Sequence, residues 1–127
     1  MSMTNFESAL LSGARTDPQP KQYAFHAPPA ALTAFKYAHV TLVTEANNHG
    51  EDCGRPGLAQ TLAIAKAAHY PVIGIGANAA HAFTPYRKTI NGQRIAIRGH
   101  RGHRLEPDDL VDGDRHPGRA GLGVPGR

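Results

Sequence analysis

The stretch "VTLVTEANNHGEDCGRPGLAQTLAIAKAAHYPVIGIGANA", Val40 to Ala79, decides the fold. Its opening, "HVTLVTE" from His39, is β-branched and apolar without polar alternation, the pattern of a strand buried on both faces. One acid, Glu45, closes that run. A polar, Gly-rich loop follows, and then "GLAQTLAIAKAAH" places Leu58, Leu62, Ala65 and His69 at i, i+4, i+7 and i+11, one stripe of a helix. Pro71 ends the helix, "PVIGIG" reads as a second buried strand, and "GQRIAI" after the turn-like "NG" reads as a third. Strands alternating with a helix predict right-handed crossovers and a short parallel sheet. The expectation is an α/β domain of two or three layers over residues 39–97. Ligands of such sheets bind outside the carboxyl ends of the strands, where Glu45 stands.

Outward from this unit the chain changes character on both sides. Residues 1–38 predict an irregular lead-in with short helices. In "NFESALLSG" Asn5 can cap a helix that Gly13 stops. Prolines at 18, 20, 28 and 29 then remove backbone donors, and "PAALTAFKYA" can start a further helix at Pro29. Residues 98–127 contain no Lys, Ser, Thr, Asn, Gln, Ile, Met, Cys or aromatic residue and no apolar period, which predicts a disordered tail. Each of these residues has codons beginning with G or C, whereas "RKTINGQRIAI" just before them is rich in residues whose codons begin with A. A frame slip near Ile97 in a GC-rich gene would produce this composition; a native GC-driven tail is the alternative.

A chain of 127 residues suits one small domain. A single cysteine, Cys53, excludes an intramolecular disulfide and fits a reducing compartment. No apolar stretch approaches the roughly 20 residues that span a bilayer, and the N-terminus lacks the order of a secretory signal. The expectation is a cytoplasmic protein with no membrane partner. The formal charge is +4. Residues 61–97 carry Lys66, Arg87, Lys88 and Arg94 and no acid. Such a basic segment suits a nucleic acid, although a solvated face is the commoner meaning.

Four groups of residues bear on chemistry. Glu45 at a strand's carboxyl end can hold a divalent metal or move a proton, or merely cap the next helix. The loop after it adds Glu51 and Asp52, either to the same crevice or to solvent. His49 and Cys53 stand four apart beside them, but zinc requires more ligands, and Cys53 as a nucleophile with His49 as base lacks an orienting third group. "GIGANA", Gly74 to Ala79, matches a dinucleotide fingerprint, yet no long helix follows it and no acid is present to take the ribose. A tight strand exit explains those glycines more simply, and His81 beyond them reads as a surface histidine.

The order "VTLVTE", "GLAQTLAIAKAAHYPVIGIGANA", "INGQRIAI" resembles the TOPRIM domain of phage and plasmid DNA primases, over about residues 39–97. The resemblance implies that Glu45 is the catalytic glutamate and helps hold Mg²⁺ for nucleotidyl transfer. Replication proteins are then possible partners, and Lys66, Arg87, Lys88 and Arg94 are the candidate nucleic-acid contacts on the ground of their charge. Two departures stand against that pattern. The loop from Ala46 to Pro56 is longer than the family's turn, and the Asp-x-Asp-x-x-Gly expected after Ile97 is replaced by "RGHRGH". The in-frame Asp112 and Asp114 mimic it too late in the chain. The resulting expectation is a primase or primase-helicase fragment of a mobile element, catalytically incomplete as it stands. The alternatives are a small nucleotide- or ligand-binding α/β protein without catalysis, or a noncatalytic accessory protein of a mobile element.

Overall fold

The computed structural model describes residues 1–14 and 16–101. The expected tail from residue 102 onward, with Asp112 and Asp114, lies outside the described residues. The fold is α/β, built on a short parallel sheet. Its elements are β1 (Met3–Asn5), β2 (Ala9–Leu10), β3 (His26–Ala27), α1 (Ala30–Tyr37), β4 (Leu42–Thr44), α2 (Gly54–Ala67), β5 (Val72–Ile73), α3 (Ala79–Ala82), β6 (Tyr86–Ile90) and β7 (Gln93–Ile97).

The apolar run at 40–44 becomes the centre of the sheet because it has a parallel partner on each side. β4 pairs with β1 through Met3↔Leu42, Thr4↔Val43 and Asn5↔Thr44, and with β5 through Val43↔Val72 and Thr44↔Ile73. Leu42 and Val43 are fully buried between them. The core gathers Leu10, Leu32, Val43 and Tyr70, with Phe6, Phe35, Ile64 and Val72 packed against it. The Phe6 and Phe35 rings meet edge to face at 5.2 Å, the arrangement their quadrupoles favour.

Both long helices end in the same way. His39 after α1 and His69 after α2 have positive φ (56° and 48°). Each helix is closed by a six-to-one bond, Val40 N to Phe35 O at 2.9 Å and Tyr70 N to Ala65 O at 2.9 Å. His69, which the helical stripe predicted to face the core, is therefore an exposed cap residue past the end of α2.

Two expected elements differ. "NFESALLSG" forms no helix; it holds the last residue of β1 and the whole of β2. An isolated helix of that length is marginal in water, whereas β1 gains a ladder with β4, extended by Phe6 N to Thr44 O at 2.9 Å. "GQRIAI" is not a third parallel strand. It forms β7, which pairs antiparallel with β6 in a separate two-stranded sheet, in register from Tyr86↔Ile97 to Ile90↔Gln93. Asn91 and Gly92 between them both have positive φ (49° and 78°), which selects a two-residue hairpin turn over a crossover.

β2 pairs with β3 and packs on α2. Thr61 of α2 locks that contact: its Oγ1 accepts from the buried Leu10 amide at 2.8 Å and donates to Gly57 O at 3.1 Å. Thr61→Val keeps the shape but orphans the Leu10 amide, so it should cost about 2 kcal/mol. Urea unfolding checks this, as a lower midpoint at unchanged slope. No helix among the described residues is long and apolar enough to cross a membrane.

Candidate functional site at the strand ends

The chain leaves β4 at Glu45 and turns back over it. A Cβ on Gly50 would lie 2.9 Å from the Glu45 carbonyl oxygen and 3.2 Å from Ile75 Cγ2, so the loop can pass only without a side chain there. Gly74 leaves β5 with φ of 87°, and a Cβ on it would lie 2.5 Å from that of Ala46. The glycines of "GIG" are thus positions of close backbone approach. The short α3 behind them gives a dinucleotide pyrophosphate no helix to rest on.

The crossing segments leave a crevice of about 340 Å³ at the carboxyl ends of β4 and β5. Its lining includes Glu45, Asn47, Asn48, Glu51, Arg55 and Asn78. Glu45 is 1% exposed, and neither of its carboxyl oxygens has a hydrogen-bond partner among the described residues. Burial pushes its pKa up to about 8. The capping role open to a strand-end acid is not what Glu45 performs, since the first turn of α2 receives no side-chain cap.

Beside the crevice a second set of side chains joins the ends of β1 and β4. The Asn47 amide donates to Asn5 Oδ1 at 3.0 Å and to Phe6 O at 3.0 Å, and the Asn5 amide donates to Glu7 Oε1 at 2.7 Å. Asn47 Oδ1 accepts from the His49 backbone at 2.9 Å. The sequence offers Asn5 only as a helix cap, and it marks neither Glu7 nor Asn47 as a site residue. The available signal was the repetition of one arrangement: "NFE" and "EANNH" are polar clusters that each follow a short β-forming run.

The remaining acid of the loop is turned away from the crevice. Asp52 is fully buried; its Oδ2 accepts from His49 Nδ1 at 2.7 Å and from the Phe25 amide at 2.8 Å, and its Oδ1 pairs with Lys21 Nζ. Burial alone would raise its pKa. The hydrogen bonds from Lys21, His49 and Phe25, with the charge of His49, outweigh that and hold it below the ordinary carboxylate value. Asp52 therefore fastens the proline-rich segment around residues 17–25 to the start of α2, assisted by Gln19 N to Asp52 O at 2.9 Å and Asp17 N to Cys53 O at 3.2 Å. His49 is committed to this cluster, with its ring 4.5 Å from that of Phe25. Cys53 is buried, and burial together with the Asp52 charge pushes its thiol up, away from a reactive thiolate. The considered His49–Cys53 zinc or nucleophile pair is not assembled. Among the described residues no group of three His, Cys, Asp or Glu side chains is placed to hold a metal.

The basic residues divide. Arg87, Lys88 and Arg94 are exposed on the β6–β7 hairpin, where the register puts Arg87 and Arg94 on one face and Lys88 on the other. Lys66 is exposed in the last turn of α2. His81 is exposed on α3, where its backbone amide donates to Asn78 Oδ1 at 3.0 Å.

A family model described as "Bacterial capsule synthesis protein PGA_cap" matches residues 1–117. The chain belongs to this PGA_cap family. No curated protein matches it. The PGA_cap match overturns the reading as a TOPRIM domain and with it the primase function, DNA replication and a mobile-element origin. The physical reason is that an apolar strand ending in an acid, a small-residue helix and a Gly-rich strand exit describe a parallel crossover, not a chemistry. The nucleotidyl-transfer role of Glu45 rested on the TOPRIM resemblance and loses that ground; its reading as a strand-end metal ligand or proton carrier is independent of it. The match includes the lead-in, residues 1–38. The match also includes Arg98 to Pro117, most of the stretch whose composition suggested a frame slip.

Proposed function

We propose that this chain acts in bacterial capsule synthesis as a ligand-binding α/β protein whose working surface is the strand-end crevice. The family match over residues 1–117 carries the reading. The position of the crevice supports it, since parallel α/β sheets bind ligands where the strands end and adjacent connections part. So does Glu45, a lining residue whose buried carboxyl has no partner among the described residues.

The test is genetic. In an encapsulated host, deleting the gene should reduce surface capsule, and the wild-type gene should restore it. A double variant, Asn48→Ala with Arg55→Ala, changes two exposed crevice residues that hold no core contact. It should fold normally and leave capsule at the level of the deletion. Unchanged capsule in the deletion strain would overturn the assignment to capsule synthesis. Full restoration by the double variant would remove the crevice from it.

A further inference from the structure

Away from the crevice, the β6–β7 hairpin is an unfinished piece of sheet. Its two strands pair only with each other. No other helix or strand packs extensively on them, and among the described residues no backbone hydrogen bond joins either outer edge to another element. A two-stranded hairpin on its own is marginally stable in water, and an open strand edge is a template for a further strand. The ladder also has two unlike faces. Cross-strand partners share a face and faces alternate along each strand, so Arg87, Thr89, Arg94 and Ala96, all exposed, lie on one side. Tyr86, Ile90, Ile95 and Ile97, all partly buried, lie on the other side with Lys88.

The charges of the hairpin select what can fill its edge. Residues 61–101 contain no acid. Among the described residues Arg87, Lys88 and Arg94 form no ion pair. These three cations line a groove of about 550 Å³ together with Thr89, Ile95 and Ala96. Arg87 and Arg94 are diagonal neighbours in the ladder, about 7 Å apart. Alternate residues of an extended chain repeat at nearly the same spacing, about 6.7 Å. A second copy of the hairpin would set cations against cations, so the charges that attract an acidic strand also oppose self-pairing.

We propose that the β6–β7 hairpin is a docking edge for an extended acidic segment of a partner protein, which adds as a third strand with carboxylates on the Arg87–Arg94 face and apolar side chains on the Ile95–Ile97 face. Main-chain hydrogen bonds supply the affinity of such an addition, and the alternation of acidic with apolar side chains supplies its selectivity. A polyanion without apolar side chains meets only one of the two faces.

Soluble peptides of about seven residues test this on the full chain: alternating Glu and Val, alternating Lys and Val, and Glu alone. Chemical-shift mapping and hydrogen exchange by NMR follow binding to the wild type. The Glu–Val peptide should bind saturably and more weakly as salt is raised, and it should protect alternate amides of one strand, those that point away from the hairpin's own ladder. The Lys–Val and all-Glu peptides should bind at least about tenfold more weakly. The double variant Arg87→Glu with Arg94→Glu alters two exposed side chains. It should bind the Glu–Val peptide about tenfold more weakly and the Lys–Val peptide more tightly than the wild type does, as two surface ion pairs are exchanged for two repulsions.

No binding of the Glu–Val peptide, or equal binding of the Lys–Val peptide, would overturn the proposal, and both comparisons use the wild type, whatever the folding of the variant. An all-Glu peptide that binds as tightly would show that charge alone is read and would overturn the addition of a strand. A single-stranded oligonucleotide bound more tightly than the Glu–Val peptide at the same salt would replace the acidic segment by a phosphate backbone. Outward amides already protected in the free chain, or sedimentation as a dimer that the double variant disrupts, would overturn the proposal by showing the edge filled by this chain itself.

Discussion

Raising the pH from about 4.5 to about 8 is expected to destabilise the folded protein through Glu45 alone by on the order of 5 kcal/mol. The folded pKa is about 8, against an ordinary value of 4.5, so the folded state holds this proton more tightly than the unfolded chain does. Below the unfolded value both states are protonated and nothing is lost. Between the two values the unfolded chain alone has released the proton, and stability falls by about 1.4 kcal/mol per pH unit. Above the folded value the loss is complete. Urea unfolding at a series of pH values measures this directly, and Glu45→Gln supplies the control because its amide does not titrate. The wild-type curve should fall steeply relative to the variant, which overtakes it on the alkaline side. Parallel curves for the two proteins would show that Glu45 is solvated or paired in solution.

The second large effect has the opposite pH sense. Asp52→Ala should cost about 3 kcal/mol, because it strands the Phe25 amide, His49 Nδ1 and Lys21 around a site from which water is excluded. Lys21 is one-third exposed and can find water; the Phe25 amide and the His49 ring have less recourse. Asp52 has a depressed folded pKa, so its contribution is fully present above the ordinary carboxylate value and is lost as pH falls through the folded value. Acid unfolding of the wild type should therefore begin below about pH 4. Asp52→Asn, already unable to ionise, should lose that acid limb. A midpoint shift of less than about 1 kcal/mol for Asp52→Ala would mean that residues 17–25 are not held by this cluster in solution. Together the two carboxyls confine maximum stability to a narrow window, with Asp52 setting its acid side and Glu45 its alkaline side.

The different behaviour of these two acids, seven residues apart, shows what a chain can and cannot announce. Both stand in one polar loop region, and from the sequence both were candidates for the same crevice. The protein turns Asp52 inward to three donors, two of which come from a proline-rich segment some thirty residues earlier. Glu45 is roofed by backbone crossing at Gly50 and Gly74. Neither fate follows from local pattern, because each depends on partners distant in sequence. The TOPRIM resemblance fails for a related reason: a crossover motif shared by many α/β proteins specifies no one activity, whereas the match to PGA_cap extends over 117 residues.

Local sequence did determine the α/β class, because β4 needs an apolar residue on each face and α2 needs an apolar stripe, and both periods are written in Val40 to Ala79. It also determined the turn at Asn91–Gly92, whose residue types tolerate positive φ, although it did not disclose the strand before it. Only the tertiary structure decided that the first residues are strands rather than a helix, since the bonds that hold β1 come from Thr44 and its neighbours in β4. Only it brought Asn5, Glu7 and Asn47 together and left Glu45 buried without a partner among the described residues, because contact and desolvation are properties of the assembled surface and have no counterpart in a residue's immediate neighbours along the chain.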